Sequence, residues 1–222
     1  MSDAAMVRTC LTSGDLGDRL RAVNAIRSLP QEEAFELIQL AVQDNNPRVR
    51  YAAVSQFDTL GHCDRAKSLE ILQRCLLEDS EGDVQAAAAD CLGALKLTEA
   101  FDNLAAVYNS SPEWLVRFSI ISALGELGDP RGFDLLAKAL TAENGLERLG
   151  AIGGLGELGD PRAIGLLLPL IQDEDWQVRH RVAQALGNLN DPAARPALET
   201  LATDPIEQVA SAAQLGLAPT RT

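Results

Sequence analysis

Two kinds of apolar stretch alternate along the chain. One is short, as in Ala34-Phe35-Glu36-Leu37-Ile38-Gln39-Leu40-Ala41-Val42 and in Ile164-Gly165-Leu166-Leu167-Leu168-Pro169-Leu170-Ile171. The other is longer and strictly periodic. In the copy that begins at Val178, the apolar positions Val178, Val182, Ala183, Leu186 and Leu189 fall at i, i+4, i+5, i+8 and i+11. That spacing follows the helical turn and marks one stripe on one face. Turn residues punctuate the alternation. In Gly128-Asp129-Pro130 and Gly159-Asp160-Pro161 the glycine suits a left-handed residue just past a helix end, the aspartate an N-cap, and the proline a first helical position. The pattern predicts antiparallel helix pairs.

The pairs repeat. Trp114-Leu115-Val116-Arg117 followed by Leu124-Gly125-Glu126-Leu127-Gly128-Asp129-Pro130-Arg131 returns as Leu146-Glu147-Arg148 with Leu155-Gly156-Glu157-Leu158-Gly159-Asp160-Pro161-Arg162. It returns again as Trp176-Gln177-Val178-Arg179 with Leu186-Gly187-Asn188-Leu189-Asn190-Asp191-Pro192. Aligning one apolar slot per copy gives positions 20, 49, 84, 116, 147, 178 and 209, with a period that settles at 31 residues. Two helices of about a dozen residues with short turns fill that length. Units of this kind bury their apolar faces against their neighbours in line. The expected architecture is all-α: an α-solenoid of about seven antiparallel helix pairs forming a single domain over residues 1–222.

Composition agrees and removes several functions. Hydrophobic residues make up 46% of the chain but aromatics only 4%, so the core is built from Ala, Leu, Val and Ile, which suits packed helices. A formal net charge of −13 disfavours nucleic acid and anionic membrane surfaces, both of which need a basic face. No apolar run approaches the roughly 20 residues of a membrane span, so no membrane insertion is expected. Met1-Ser2-Asp3-Ala4-Ala5-Met6 lacks the basic and apolar regions of a signal peptide. Cys10, Cys63, Cys75 and Cys91 have no C-x-x-C spacing and read as reduced thiols of a cytoplasmic protein.

Candidate chemistry sits around the repeated slot. The residue after it is Arg21, Arg50, Gln85, Arg117, Arg148 and Arg179 in successive copies. Tyr51, Phe118 and His180 stand two residues after the slot, and Trp114 and Trp176 two before it. An i, i+4 pair shares a helix face, so Trp114 with Phe118, and Trp176 with His180, each make a ridge. With Tyr51 they form an aromatic stripe interleaved with Arg117, Arg148 and Arg179. Such a stripe could stack a flat apolar ligand and pair its carboxylates with arginine forks. In a second reading the arginines pair with aspartates of the adjacent turn (Asp44, Asp79, Asp173 and Asp175) as a structural ladder. The adjacent His62 and Cys63 make a poor metal site. Walker, nucleophile-elbow, kinase and zinc-protease motifs are lacking. The glycines of Gly150 to Gly156 fall within a helix copy, where they permit close packing.

Three stretches carry a family resemblance: Asp83-Val84-Gln85-Ala86-Ala87-Ala88-Ala89-Asp90-Cys91-Leu92-Gly93-Ala94-Leu95, the Val116-to-Arg131 copy, and Asp173-Glu174-Asp175-Trp176-Gln177-Val178-Arg179-His180-Arg181-Val182-Ala183. The chain resembles the HEAT-repeat phycobilin lyase-like proteins of cyanobacteria, including members that act in phycobilisome degradation. The resemblance implies a HEAT-like α-solenoid that handles a linear tetrapyrrole such as phycocyanobilin, with no other cofactor required. It implies phycobiliproteins (phycocyanin, allophycocyanin) as partners, and either attachment of a bilin or help in stripping it during antenna breakdown. A non-catalytic scaffold, docking phycobiliproteins or iron–sulfur assembly proteins, is the competing expectation.

Overall fold

The structure, a computed structural model, describes residues 3–218. The described residues fold as an α-solenoid of helix pairs. In chain order these are α1 (Asp3–Ser13) with α2 (Leu16–Ile26), α3 (Gln31–Ala41) with α4 (Pro47–Val54) and its short extension α5 (Phe57–Leu60), and α6 (Arg65–Glu78) with α7 (Gly82–Ala94). Then come α8 (Phe101–Ser110) with α9 (Trp114–Leu127), α10 (Phe133–Ala139) with α11 (Gly145–Leu158), α12 (Ala163–Leu167) with α13 (Trp176–Leu189), and α14 (Arg195–Leu201) with α15 (Glu207–Leu217). The chain divides into two compact units, residues 1–120 and 121–222.

In each unit the repeated slot supplies the core. Val49, Val84 and Val116 are buried in the first unit, and Val178 and Val209 in the second; Glu147 is buried in the same slot of α11. One turn on, Ala53, Ala88, Ile120, Ala151, Val182 and Ala213 are buried as well. The four cysteines are free thiols, and burial pushes Cys75 up to about 11 and Cys91 up to about 12. Both thiols are held protonated, which makes them packing residues.

The turns behave as their residues dictate. Gly128 and Gly159 take φ of 69° and 72°, and Asn190 takes 47° at the equivalent helix end. Asp129, Asp160 and Asp191 each accept the backbone N–H two residues on, at 2.8–2.9 Å. Arg131 and Arg162 also fold back onto Asp129 and Asp160, and the Arg162 guanidinium lies 4.0 Å above the Phe133 ring. At Gly128 an added Cβ would meet nothing within 4 Å. Gly128→Ala therefore isolates the backbone term, and a urea titration should show a loss of about 1 kcal/mol.

Two elements depart from simple helices. The apolar run at Ile164–Ile171 predicts one helix, but α12 ends at Leu167 and Leu168–Gln172 form a 3₁₀ turn. Pro169 causes this, since it has no N–H and its ring collides with the preceding turn. In the second copy the chain tightens between α4 and α5, where Gln56 N bonds to Ala53 O while the Ser55 hydroxyl donates to Tyr51 O.

Glycines set how closely the long helices approach within the second unit. An added Cβ at Gly125 would lie 2.7 Å from Gly154 Cα, and one at Gly156 would lie 2.6 Å from Ala185 Cα. At Gly187 it would lie 3.0 Å from Gly216 Cα. The first glycine of each Leu-Gly-x-Leu-Gly motif is thus a backbone-to-backbone contact, and the second is a helix terminator.

Candidate functional site

The arginine column resolves into a ladder. Arg50 donates to both carboxylate oxygens of Asp79 at 2.7 and 2.8 Å, and to Asp44 O at 3.0 Å. Arg148 reaches Asp173 at 2.6 Å, and Arg179 grips Asp204 at 2.7 and 3.1 Å while donating to Asp173 O at 2.7 Å. In each case an arginine on one long helix pairs with the aspartate just ahead of the next long helix. Arg117 donates to Ser111 O and Pro112 O, at 3.0 and 2.9 Å, closing the turn before its own helix.

The ladder corrects the alignment of the first copy. Arg19, not Arg21, takes the ladder position, with its Nε 2.8 Å from Asp44, while Arg21 pairs with Asp18 in its own helix. The first slot is therefore residue 18, which restores the regular spacing to Val49. The aspartates differ from expectation in one place. Asp175 caps α13 through Gln177 N, and Asp204 takes the last ladder position.

The ladder carboxylates are held as anions. For Asp204, the hydrogen bonds from Arg179 outweigh burial and keep its carboxyl below the usual range. For Asp79 and Asp173 burial pushes upward, but the arginine and a backbone N–H together push further down. Asp90, on α7, is the opposite case: burial raises its carboxyl, and a hydrogen bond with Ser119 only partly offsets that. Asp90 is nevertheless exposed to solvent.

The aromatic positions divide between the units. In the first, Tyr51 on α4 is 48% exposed, Trp114 at the start of α9 is 43% exposed, and Phe118 is half-buried. In the second, Trp176 is 40% exposed and lies against His180, with ring centroids 6.4 Å apart and planes tilted by 59°. His180 also belongs to an open cleft of about 790 Å³ between α13 and α15. Arg181, Gln184 and Asn188 line it from α13, and Glu207, Ser211 and Leu215 from α15.

Reading the sequence passed over Arg181. Its signal is an arginine where the equivalent residues are Ala52, Ala87, Ser119, Gly150 and Ala212; after the corrected alignment only Arg21 shares the position. The regular column, by contrast, is occupied by the ladder. Among the described residues no group of His, Cys, Asp and Glu could hold a metal ion, and no helix is long and apolar enough to cross a membrane.

A sequence profile for HEAT repeats matches residues 5–89, 70–149 and 134–218. No curated protein sequence matches the chain. Among solved structures, the complex of CpcE and CpcF of phycocyanin lyase from Nostoc sp. PCC7120 is similar, with 21% identity and a TM-score of 0.66. The match covers 98% of this chain and 87% of that one. The E. coli protein YibA is similar at 16% identity and a TM-score of 0.58, over 99% of this chain and 93% of its own. At these identities the likeness is one of fold.

Proposed function

The chain belongs to the HEAT-repeat family, and from that premise we propose that it is a phycobilin lyase-like protein that binds a linear tetrapyrrole and the phycobiliproteins carrying it. Phycocyanin and allophycocyanin are the partners in this reading, and the role is to aid bilin detachment or antenna degradation. One observation carries it: the Trp176–His180 ridge adjoins an open polar cleft on the long-helix surface of the second unit. A bilin is a flat, apolar molecule with polar carboxylate arms. Aromatic faces suit its body, and the cleft suits its polar edge. The fold shared with CpcE and CpcF is consistent with this and adds no residue roles.

Titration with phycocyanobilin, followed by visible absorbance, tests the reading. Wild type should shift and sharpen the bilin band, and Trp176→Ala should weaken binding by roughly 3- to 10-fold, the worth of one aromatic contact. A silent titration with wild type overturns it. The second reading, a protein-interaction scaffold, gains support from the ladder, because Arg50, Arg148 and Arg179 are already bound to aspartates. It expects phycocyanin to be retained on immobilised protein while the bilin titration stays flat.

A further inference from the structure

We propose that Arg181 is the carboxylate anchor of the α13–α15 cleft, and that Gly153 exists to give its guanidinium a seat. The inference rests on the bilin-handling reading and assigns its polar contact to a residue outside the regular column.

Three observations lead there. The ladder arginines are closed to a ligand. Arg50 and Arg179 grip nearly buried aspartates with both arms of the fork, at 2.7–3.1 Å, and Arg148 holds Asp173 at 2.6 Å, so each would have to leave its partner to take another anion. Arg181 is held loosely. Its nearest acidic partner, Glu157, is 4.0 Å away with both side chains well exposed, and its other contact is the neutral Gln184 at 3.3 Å. An incoming carboxylate exchanges a marginal contact for a fork-to-fork pair, which is shorter and stronger.

The seat is the second observation. A Cβ at position 153 would lie 2.1 Å from Arg181 Nη2, 2.4 Å from Nε and 2.5 Å from Cζ. The guanidinium therefore lies flat across the α11 backbone, in space that any side chain at residue 153 would fill. Position 153 is one of the interior helix positions where glycine is otherwise unfavourable, and the arginine on the neighbouring helix explains it.

The third is the company Arg181 keeps. His180, on the Trp176 ridge, lines the same cleft, so a ligand stacked on that ridge adjoins the cleft. Gln184 and Asn188 line the α13 side with further hydrogen-bonding groups, while Glu207 lines the α15 side as an acceptor. The ligand this arrangement selects carries both a carboxylate and N–H donors on a flat body. A linear tetrapyrrole with free propionates has that chemistry.

The decisive comparison uses the full chain with phycocyanobilin as the free acid and as its dimethyl ester. Wild type should bind the acid about 10-fold or more tightly than the ester, the scale of one charge-assisted pair. Arg181→Gln should abolish that preference, acid affinity falling to about that of the ester. Gly153→Ala should narrow the acid-over-ester preference by displacing the guanidinium. Circular dichroism of both variants checks that they fold, and Arg181→Lys, which keeps charge but not the fork, should recover only part of the preference. Equal acid and ester binding by wild type, or a preference that survives Arg181→Gln, overturns the assignment while leaving bilin binding intact. Absence of any bilin binding by wild type defeats both it and the reading on which it rests.

Discussion

Gly156→Ala should lower the melting temperature by about 4–8 °C, although the same change in an isolated helix is stabilising. Its new methyl would stand 2.6 Å from Ala185 Cα, 2.8 Å from Ala185 Cβ and 3.0 Å from Ala185 O. None of these atoms can rotate away, so α11 and α13 must separate. Overpacking of this kind costs about 3 kcal/mol. The better helix propensity of alanine returns somewhat under 1 kcal/mol, and the remainder corresponds to the stated shift for a chain of this length. Gly165→Ala is the matched control, because nothing lies within 4 Å of its added Cβ. It should leave the melt unchanged or raise it slightly. Similar effects from both variants would show that helix propensity, not the close approach, governs Gly156.

The second large effect comes from the ladder. Arg50→Ala strips both fork contacts from Asp79, whose side chain is only 8% exposed, and leaves a nearly buried carboxylate with the Glu81 N–H as its remaining donor. A loss of about 3 kcal/mol is expected from urea unfolding at pH 7. The pH dependence is the sharper signature. Asp79, Asp173 and Asp204 have folded carboxyls that release their protons more readily than the ordinary aspartate. The unfolded chain then binds more protons, so stability rises with pH across that window. The contribution is complete above the ordinary aspartate value of about 3.9 and is lost as pH falls through the lower folded values. In Arg50→Ala the Asp79 share disappears, so the unfolding midpoint should fall less steeply below about pH 4 than in wild type. Parallel curves would mean that the fork does not hold Asp79 as an anion.

Much of this architecture was legible in the chain because its physics is local. Gly128 and Gly159 adopt the left-handed conformation, and Asp129 and Asp160 bond the first turn that follows. The helical stripe of α13 is buried at Val178, Val182, Ala183 and Leu186 as its spacing requires, with Leu189 half-buried. The misplaced first slot shows the limit. Leu20 matched by residue type, but register is fixed by an ion pair between Arg19 and Asp44, which lie in different helix pairs. The site was less legible for the same reason. Arg148 and Arg179 repeat regularly because each makes a structural pairing with an aspartate of the next turn. Arg181 stands out only through Gly153, a residue on another helix whose missing side chain has no signal of its own among 17 glycines.

The meeting of Gly187 with Gly216 has a consequence for the cleft itself. Both residues line it, and a Cβ added to either would lie within 3.0 Å of the other's Cα. This contact acts as a shim of minimum thickness. A methyl group at either position would pry the two helices apart at that point and open the cleft without altering any polar group that faces it. The gap that admits a ligand is therefore gauged by two residues that have no side chains with which to touch it.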